Sequence, residues 1–402
     1  MMRIITYASV LAFGLFSLTY ASNGLQQIGL GPKSRSLGGI GIAYPQDSFT
    51  SALNPAGMSL LGSRVDLDIE GVNQDARYNF AETRLRSTRR SVLPQAGGIW
   101  KIVPRHALGL TLYSYGGSRL AYKTDPSLGT THLGASARFY FLTPSWSWRI
   151  NPCHSVGVAL NLAYGAVRFR GLEELVGLSV DPANIGSRAD YQPGFGGRIG
   201  WLGRLTSRIS VGLTYQTKTY FQHFTQFRHL LPNRGEFDLP SQVGFGTLWH
   251  FHRYMKLSID IVRIFWSSVK LFDHTLADLG REEFGSKRGP GFGWRDQLVF
   301  KVGLDWEVLD HLNFRFGFNH GNTPIIPSEL LLSPLMATTV KDHVTFGIGY
   351  LCGCTEWNLA FIHGFVRTVR GTATGLDLAP ITPSMSLRGG EDSIEVSWGR
   401  HF

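Results

Sequence analysis

Six tryptophans, Trp100, Trp148, Trp201, Trp249, Trp306 and Trp357, recur at intervals of 48 to 57 residues, each a few positions from a short polar break. Around these breaks the sequence alternates. Leu298, Phe300, Val302, Leu304 and Trp306, for example, are interleaved with Gln297, Val299, Lys301, Gly303 and Asp305. Successive side chains of a strand point to opposite faces, so this two-residue period predicts strands with one apolar face. Strand pairs that return to one level about every fifty residues, marked there by an indole, predict an all-β transmembrane barrel with an interfacial aromatic girdle.

Composition narrows the alternatives. Forty-eight glycines, 12% aromatic and only 17% charged residues in 402 positions fit one many-stranded sheet better than two or three soluble domains. Beyond the N-terminus no stretch approaches eighteen uninterrupted apolar residues, so helical spans are excluded. The mean hydropathy of −0.03 is what a membrane barrel gives, because lipid-facing and lumen-facing residues cancel along each strand. At the N-terminus, Arg3 precedes an apolar run from Ile4 to Leu18, then Thr19-Tyr20-Ala21. That pattern predicts a signal peptide over 1–21 and a mature chain from Ser22. The run, about 15 residues, is short for a retained anchor, which needs about 20.

Cys153, Cys352 and Cys354 cannot build a disulfide framework, and Cys352-Gly353-Cys354 lacks zinc-site spacing and companion ligands. No metal and no cofactor is expected. The net charge of +10 is scattered, without a basic stripe or nucleic-acid-binding motif. Nucleic acid is therefore not an expected partner. Outward basic residues near the rims would instead meet outer-membrane lipid head groups and lipopolysaccharide.

Period-2 runs bounded by turn residues predict about fourteen strands, near 64–78, 94–103, 106–115, 134–150, 154–169, 190–204, 208–220, 239–251, 254–266, 295–308, 311–319, 342–351, 356–367 and 391–402. Their connections alternate in length. Short ones hold Pro104-Arg105, Asn151-Pro152, Thr206-Ser207, His252-Arg253, Asp310-His311 and Gly353-Cys354-Thr355; long ones cover 79–93, 116–133, 170–189, 221–238, 267–294, 320–341 and 368–390. Short turns belong to the periplasmic rim of such barrels, which puts the tryptophans at that interface. A β-propeller also repeats at about fifty residues, but without this alternation. In the last strand Ile394, Val396, Trp398 and Phe402 share a face, and the terminal aromatic resembles the signal read by the barrel assembly machinery of the outer membrane.

With the apolar parity assigned to lipid, the inward list contains Gly109, Gly157, Gly212, Gly244, Gly246, Gly303, Gly317, Gly347, Gly349 and Gly399. Glycine weakens a strand but lets another backbone approach; it also permits curvature in a closed sheet. The same parity places Arg138, Lys218, Lys301 and Arg315 inside with Asp260 and Asp305. In a barrel carrying an amphipathic molecule Arg138, Lys301 or Arg315 would hold a carboxylate head group; otherwise they are structural partners of the aspartates or of a plug.

Residues 22–63 show no strand period, yet are too apolar and glycine-rich for a solvated tail: Gly24-Leu25-Gln26-Gln27-Ile28-Gly29, Leu37-Gly38-Gly39-Ile40-Gly41-Ile42-Ala43 and Ala52-Leu53-Asn54-Pro55-Ala56-Gly57-Met58. A segment of this size fits inside a fourteen-strand barrel as a plug. The expected organisation is thus 1–21 signal peptide, 22–63 hatch and 64–402 barrel. Gly38-Gly39-x-Gly41 is not a dinucleotide loop, since no strand precedes it and the third glycine is missing.

The succession of Gly-Leu-x-x-x-Gly, a glycine/alanine-rich stretch, Asp47-Ser48 and Asn54-Pro55-Ala56-Gly57-Met58 resembles the hatch of the FadL-type long-chain fatty acid and aromatic hydrocarbon transporters. Leu239-Pro240-Ser241-Gln242-Val243-Gly244-Phe245-Gly246 and Asp296-Gln297 to Phe318 extend the resemblance over the mature chain. It implies a passive outer-membrane conduit for a hydrophobic ligand. Such a ligand would enter an outer-loop groove, pass a pocket gated by the hatch around Asn54, Pro55 and Ala56, and leave sideways into the bilayer. Groove candidates are 172–180, 221–231 and 271–284, where Phe221, Phe224, Phe227, Leu230 and Leu231 would form an apolar lip, unless the loops simply pack on one another. A barrel opening sideways has reason to remain a monomer. The alternatives are a general or anion-preferring porin, which needs no 22–63 segment, and a surface adhesin or receptor. An enzyme is not expected: G-x-S-x-G and H-E-x-x-H are both absent.

Overall fold

A computed structural model describes residues 22–80, 83–122, 133–180, 188–372 and 384–402; the expected signal peptide lies outside them. Among the described residues fourteen long strands form the barrel: β1 Arg64–Phe80, β2 Thr83–Val103, β3 His106–Ala121, β4 Gly134–Arg149, β5 His154–Arg170, β6 Asp190–Arg204, β7 Ile209–Gln216, β8 Gln242–His252, β9 Met255–Ile264, β10 Gln297–Leu309, β11 Leu312–Gly321, β12 Asp342–Cys352, β13 Thr355–Thr372 and β14 Ser384–His401. Each pairs antiparallel with the next, and β14 returns to β1 from Arg64↔His401 to Phe80↔Met385. Closure leaves no free edge strand, the condition on which a sheet crosses hydrocarbon.

The barrel is inside-out relative to a soluble core. Leu67, Ile69, Phe300, Phe316, Leu359 and Val396 are exposed outward, whereas Asp66, Asp68, Glu70, Gln95, Asn161, Gln216 and Glu395 are buried within. Trp100, Trp148, Trp249, Trp306 and Trp357 are exposed at the short-turn end, as the girdle requires. Phe402 is exposed there too, its N–H donating to the Ser63 carbonyl.

One predicted loop is not a loop. β1 and β2 are joined across residues 81–82, so 79–93 is almost all strand, and β3, β13 and β14 also run beyond their predicted ends. The outward residues of the upper part of 79–93, Asn79, Arg84, Arg86, Thr88 and Arg90, are polar, and the first outward apolar residue below them is Val92. These strand ends stand above the hydrocarbon, where the lipid face that generates the apolar alternation is gone.

Residues 22–63 fill the lumen with short pieces: a two-residue ladder of Ser22–Asn23 with Gln26–Gln27, helix α1 Gly31–Ser36, helix α2 Thr50–Leu53 and a 3-10 turn Pro55–Leu60. Leu25, Ile28, Leu37, Ile40, Phe49 and Met58 are fully buried. The wall makes room by omitting side chains. A Cβ on Gly317 would lie 2.0 Å from Gly38 N, one on Gly157 2.4 Å from Pro55 C, and one on Gly212 2.5 Å from Ile42 O. Gly109, Gly244, Gly246, Gly303 and Gly347 also face the segment, while Gly349 and Gly399 clear the side chains of Arg315 and Asp66. Close approach of the plug thus accounts for eight of the ten inward glycines. Gly317→Val is expected to unseat the segment while leaving the barrel folded: planar-bilayer recording should show a steady ionic conductance lacking in the parent, with unchanged heat-modifiable mobility on gels.

Candidate functional site

The segment lacks long regular structure, so its backbone groups need partners from the wall. The Asp260 carboxylate accepts the N–H groups of Gly41 at 2.9 Å and Ile42 at 3.1 Å. Lys301 Nζ donates to the carbonyls of Ile28 at 2.7 Å and Gly39 at 2.9 Å. Thr345 Oγ1 donates to Ser36 O at 2.8 Å and accepts from Gly38 N–H at 2.9 Å. Each bond is worth about 1 kcal/mol net, but a buried group left without a partner costs about 1–3 kcal/mol. These side chains therefore specify one seat.

Towards the periplasmic rim the contacts become ionic. Arg35, fully buried, meets Glu70 at 2.5 Å and Glu395 at 3.6 Å and donates to Ser393 at 2.9 Å. Lys33 donates to Glu356 at 2.6 Å, and Arg64 holds Asp66 and Glu356. Removing one member of such a buried network costs about 3–5 kcal/mol, because it strands a charge. Arg64 also donates to the Gln46 carbonyl at 3.1 Å, fixing the turn before Asp47. Burial, reinforced by the Asp66 carboxylate nearby, raises the Asp47 pKa to about 7, against the pull of Lys33 and Arg64.

Asn54 joins the segment to the wall. Its Nδ2 donates to Ile42 O at 2.7 Å and to Trp201 O on β6 at 3.2 Å, and its Oδ1 accepts from Ala56 N–H at 3.2 Å, capping the Pro55–Leu60 turn. A Cβ on Gly200 would lie 1.9 Å from that Oδ1. Proline suits the first position of such a turn, where no N–H is needed. Asn54, Pro55 and Ala56 are all buried.

Of the three bases proposed to hold a head group, two are inside and engaged. Lys301 is committed to the segment, and Arg315 lies 3.7 Å from Asp305 and donates to Asn358 at 3.0 Å. Arg138 points outward, on the same face of β4 as Leu142, Trp146 and Trp148; the sequence assignment was one residue out of phase because Phe139 and Phe141, both fully buried, are the inward pair. Lys218 lies beyond the end of β7 and donates to the Ser268 carbonyl.

The outer-loop residues do not form an open lip. Phe221, Phe224, Phe227, Leu230 and Leu231 are buried in an aromatic mass, with Phe139–Phe221 centroids 5.4 Å apart, Phe169–Phe227 5.2 Å, Phe237–Phe272 5.8 Å and Trp266–Phe272 4.9 Å. Segments 172–180, 221–231 and 271–284 do converge: Ser179 donates to His229 O at 2.6 Å and Val180 N–H to Phe284 O at 3.1 Å. This mass is continuous with Leu25, Leu30 and Phe49 of the lumenal segment and with Tyr113 and Tyr115 of the wall. A Cβ on Gly24 would lie 2.4 Å from Trp266. An apolar column thus runs from the outer loops to the start of the segment.

Below it, Ile28, Leu30, Tyr113, Tyr115, Val262 and Val299 line a cavity of about 50 Å3 that Arg198, Asp260 and Lys301 also border. Ligand pockets measure about 300–1,000 Å3. At this level, among the described residues, the lumen is closed.

The wall is not. Pairing of β2 with β3 stops at Ala96↔Leu112, while β1–β2 continues to Phe80↔Thr83 and β3–β4 to Ala121↔Gly134. Higher up, Ala121 N–H donates to Ser87 Oγ at 2.9 Å and bridges the strands again. The interval is a window. At its edge β3 carries an extra residue, Tyr115, between Ser114 and Gly116, which face Tyr140 and Phe139, followed by Gly116 and Gly117 at φ 133° and 148°. Gln26 pairs with Gly116 from within. A cavity of about 200 Å3 is lined by the lumenal Leu25, Gln27, Glu70 and Val72 and by the outward-facing Val92, Arg138 and Tyr140; it traverses the wall. The Gly116-Gly117 pair was the only sign of it in the sequence, where it lay inside a predicted loop.

Residues 31–350 match the family described as Outer membrane protein transport protein (OMPP1/FadL/TodX). A Pseudomonas aeruginosa FadL homologue has a crystal structure of similar fold (TM-score 0.74, 16% identity, covering 94% of this chain and 100% of the other). Similar too are the P. putida toluene transporter TodX (TM-score 0.69, 18% identity, 93% and 99% covered) and the Ralstonia pickettii toluene transporter TbuX (0.65, 17%, 93% and 99%). At these identities the likeness establishes the fold. No curated protein matches the chain in sequence.

Asp47 makes seating of the segment pH-dependent. Its seated pKa lies above the ordinary value of about 4, so the protonated form favours the seat; seating weakens as pH rises from about 4 to 7 and is level above that. Ion-conducting openings in planar bilayers are expected to be more frequent at pH 8 than at pH 5, and Asp47→Asn should remove most of the difference.

Proposed function

The chain belongs to the outer membrane protein transport family (OMPP1/FadL/TodX), whose members are outer-membrane channels for hydrophobic compounds and not enzymes, and from this we propose that it takes up long-chain fatty acids or other hydrophobic molecules passively, releasing them sideways into the bilayer. The observation that carries this reading is the window between β2 and β3, backed by Leu25 and Gln27.

Substrate enters where segments 172–180, 221–231 and 271–284 meet, follows the aromatic column through Phe221, Phe224, Phe227, Leu230 and Leu231, and reaches the cavity under Ile28 and Leu30. Since that cavity is about 50 Å3, passage requires Leu25–Leu30 to leave its seat. A molecule with roughly 300 Å2 of apolar surface gains about 7.5 kcal/mol by staying out of water. Downwards it would meet the Arg35, Glu70, Lys33, Glu356 network; sideways it meets lipid. The lateral exit is favoured without any energy source. In this reading Lys301 and Arg315 hold the machinery rather than the ligand, Asn54-Pro55-Ala56 is the pivot on which the hatch is anchored, and Arg138 flanks the outer side of the exit. An open porin is disfavoured by the filled lumen. One barrel contains the entire route, so the working unit is a monomer.

Deleting Tyr115 would bring β3 back into register with β4 and let β2–β3 pairing extend upward. Uptake of radiolabelled palmitate and toluene by cells carrying this variant is expected to fall at least tenfold, with normal amounts of folded barrel in the membrane; undiminished uptake of both would remove the window from the route.

A further inference from the structure

A patch of arginines covers the outward face of β13, β14, β1 and β2 near their outer ends. Register places Thr368, Arg388, Arg77 and Arg86 in one row across the four strands, and Arg370, Ser386, Asn79 and Arg84 in the next. All five guanidinium-bearing residues are exposed. Side chains directly opposite on adjacent strands are about 5 Å apart, where like charges repel. Three arginines abreast are therefore unfavourable unless an anion lies over them.

The protein supplies only part of that anion itself, one carboxylate shared by two of the three. Asp75 accepts from Arg86 at 2.7 Å and from Arg77 at 3.3 Å. Arg84, Arg370 and Arg388 have no ion pair among the described residues. The outward carboxylate nearest along β14, Asp392, is taken by His363. Between the arginines lies an open cleft of about 450 Å3, floored by Asn79, Leu85, Thr368 and Ser386. That volume is far more than a single water needs and suits a phosphate with its sugar.

Height identifies the anion. Arg388 lies ten residues above Trp398 on β14, and Arg77 ten above Leu67, the partner of Trp398 on β1. At about 3.3 Å per residue and a tilt of about 40°, ten residues climb about 25 Å, the height of the apolar band of an outer-membrane barrel. With Trp398 at the periplasmic interface, the patch is at the opposite one, level with the head groups of the outer leaflet. Arginine in pairs is suited to forked hydrogen bonding with phosphate, and here sits on rigid strands rather than loops. We propose that this patch is a binding site for the phosphorylated head group of the outer-leaflet glycolipid, the lipid A portion of lipopolysaccharide, with Arg388 and Arg77 on one phosphate and Arg84 and Arg370 available to a second. The site is independent of which molecule the barrel transports.

Native mass spectrometry of the full-length protein in detergent tests it, with bisphosphorylated lipid A, the same lipid enzymatically dephosphorylated, phosphatidylglycerol and inorganic phosphate as probes. Bisphosphorylated lipid A is expected to bind at least tenfold more tightly than the dephosphorylated form, and R77Q/R388Q to abolish that preference. Asp75→Asn, which removes the competing carboxylate, should tighten binding. Equal binding of the two lipid A forms by the wild type would overturn the proposal without recourse to any variant. So would retention of the preference in R77Q/R388Q. Displacement of lipid A by inorganic phosphate at equal concentration, or equal binding of phosphatidylglycerol, would assign the patch to phosphate or to anionic lipid in general and contradict the glycolipid site.

Discussion

The structure depends on seating an irregular backbone inside a closed barrel from which water is largely excluded. A helix or strand pairs its own polar groups; residues 22–63 mostly cannot, so each of their buried N–H and C=O groups needs a donor or acceptor from the wall. Asp260, Lys301, Asn319 and Thr345 supply these from four different strands, and the inward glycines let the two backbones approach closely enough for such short side chains to reach. Glycine clearance and polar satisfaction are two halves of one requirement. Neither works alone: a glycine-lined lumen without these partners would leave backbone dipoles unpaired, and the same partners behind larger side chains could not touch the segment.

That arrangement holds the segment most firmly at its middle and its end. Arg35 and Lys33 are tied to the wall by ionic contacts and Asn54 by its bond to Trp201 O, whereas the first residues rest on uncharged or singly charged hydrogen bonds, the Gln26↔Gly116 bridge, Gln27 to Glu70 at 3.0 Å and Lys301 to Ile28 O, and on apolar contact with Trp266. Apolar contacts are non-directional and re-form readily with an apolar guest; the ionic ones do not. The end next to the wall opening is thus the part a hydrophobic molecule can displace while the rest stays anchored. Tyr115, as the extra residue of β3, and the two glycines after it keep the opening from zipping shut.

Much of this was legible in the sequence because the bilayer writes a strong pattern. The strand number, the short turns, the tryptophan girdle, the plug and most of its glycine contacts follow from period-2 alternation and its interruptions. Legibility failed where that pattern has no cause. Residues 83–90 stand above the hydrocarbon, so this part of the strand carries no outward apolar face and read as loop. Arg138 was placed inside because Phe139 and Phe141, the most apolar residues of their stretch, face the loop core rather than lipid, which inverts the usual sign. Phe221 and its neighbours were read as a lip since sequence gives apolarity but not what covers it. The wall opening depends on where a ladder stops between strands distant from any motif, and a single inserted residue has no signature of its own.

The central claim is that the start of the hatch leaves the β2–β3 window when a hydrophobic molecule occupies the lumen. Pulsed electron paramagnetic resonance between spin labels at Gln26 and Val92 measures this most directly, in protein whose three exposed cysteines are replaced by serine, with and without bound palmitate. A second, longer distance that grows with palmitate occupancy is the expected result. An identical single distance in both conditions, with palmitate shown to be bound, would contradict the account.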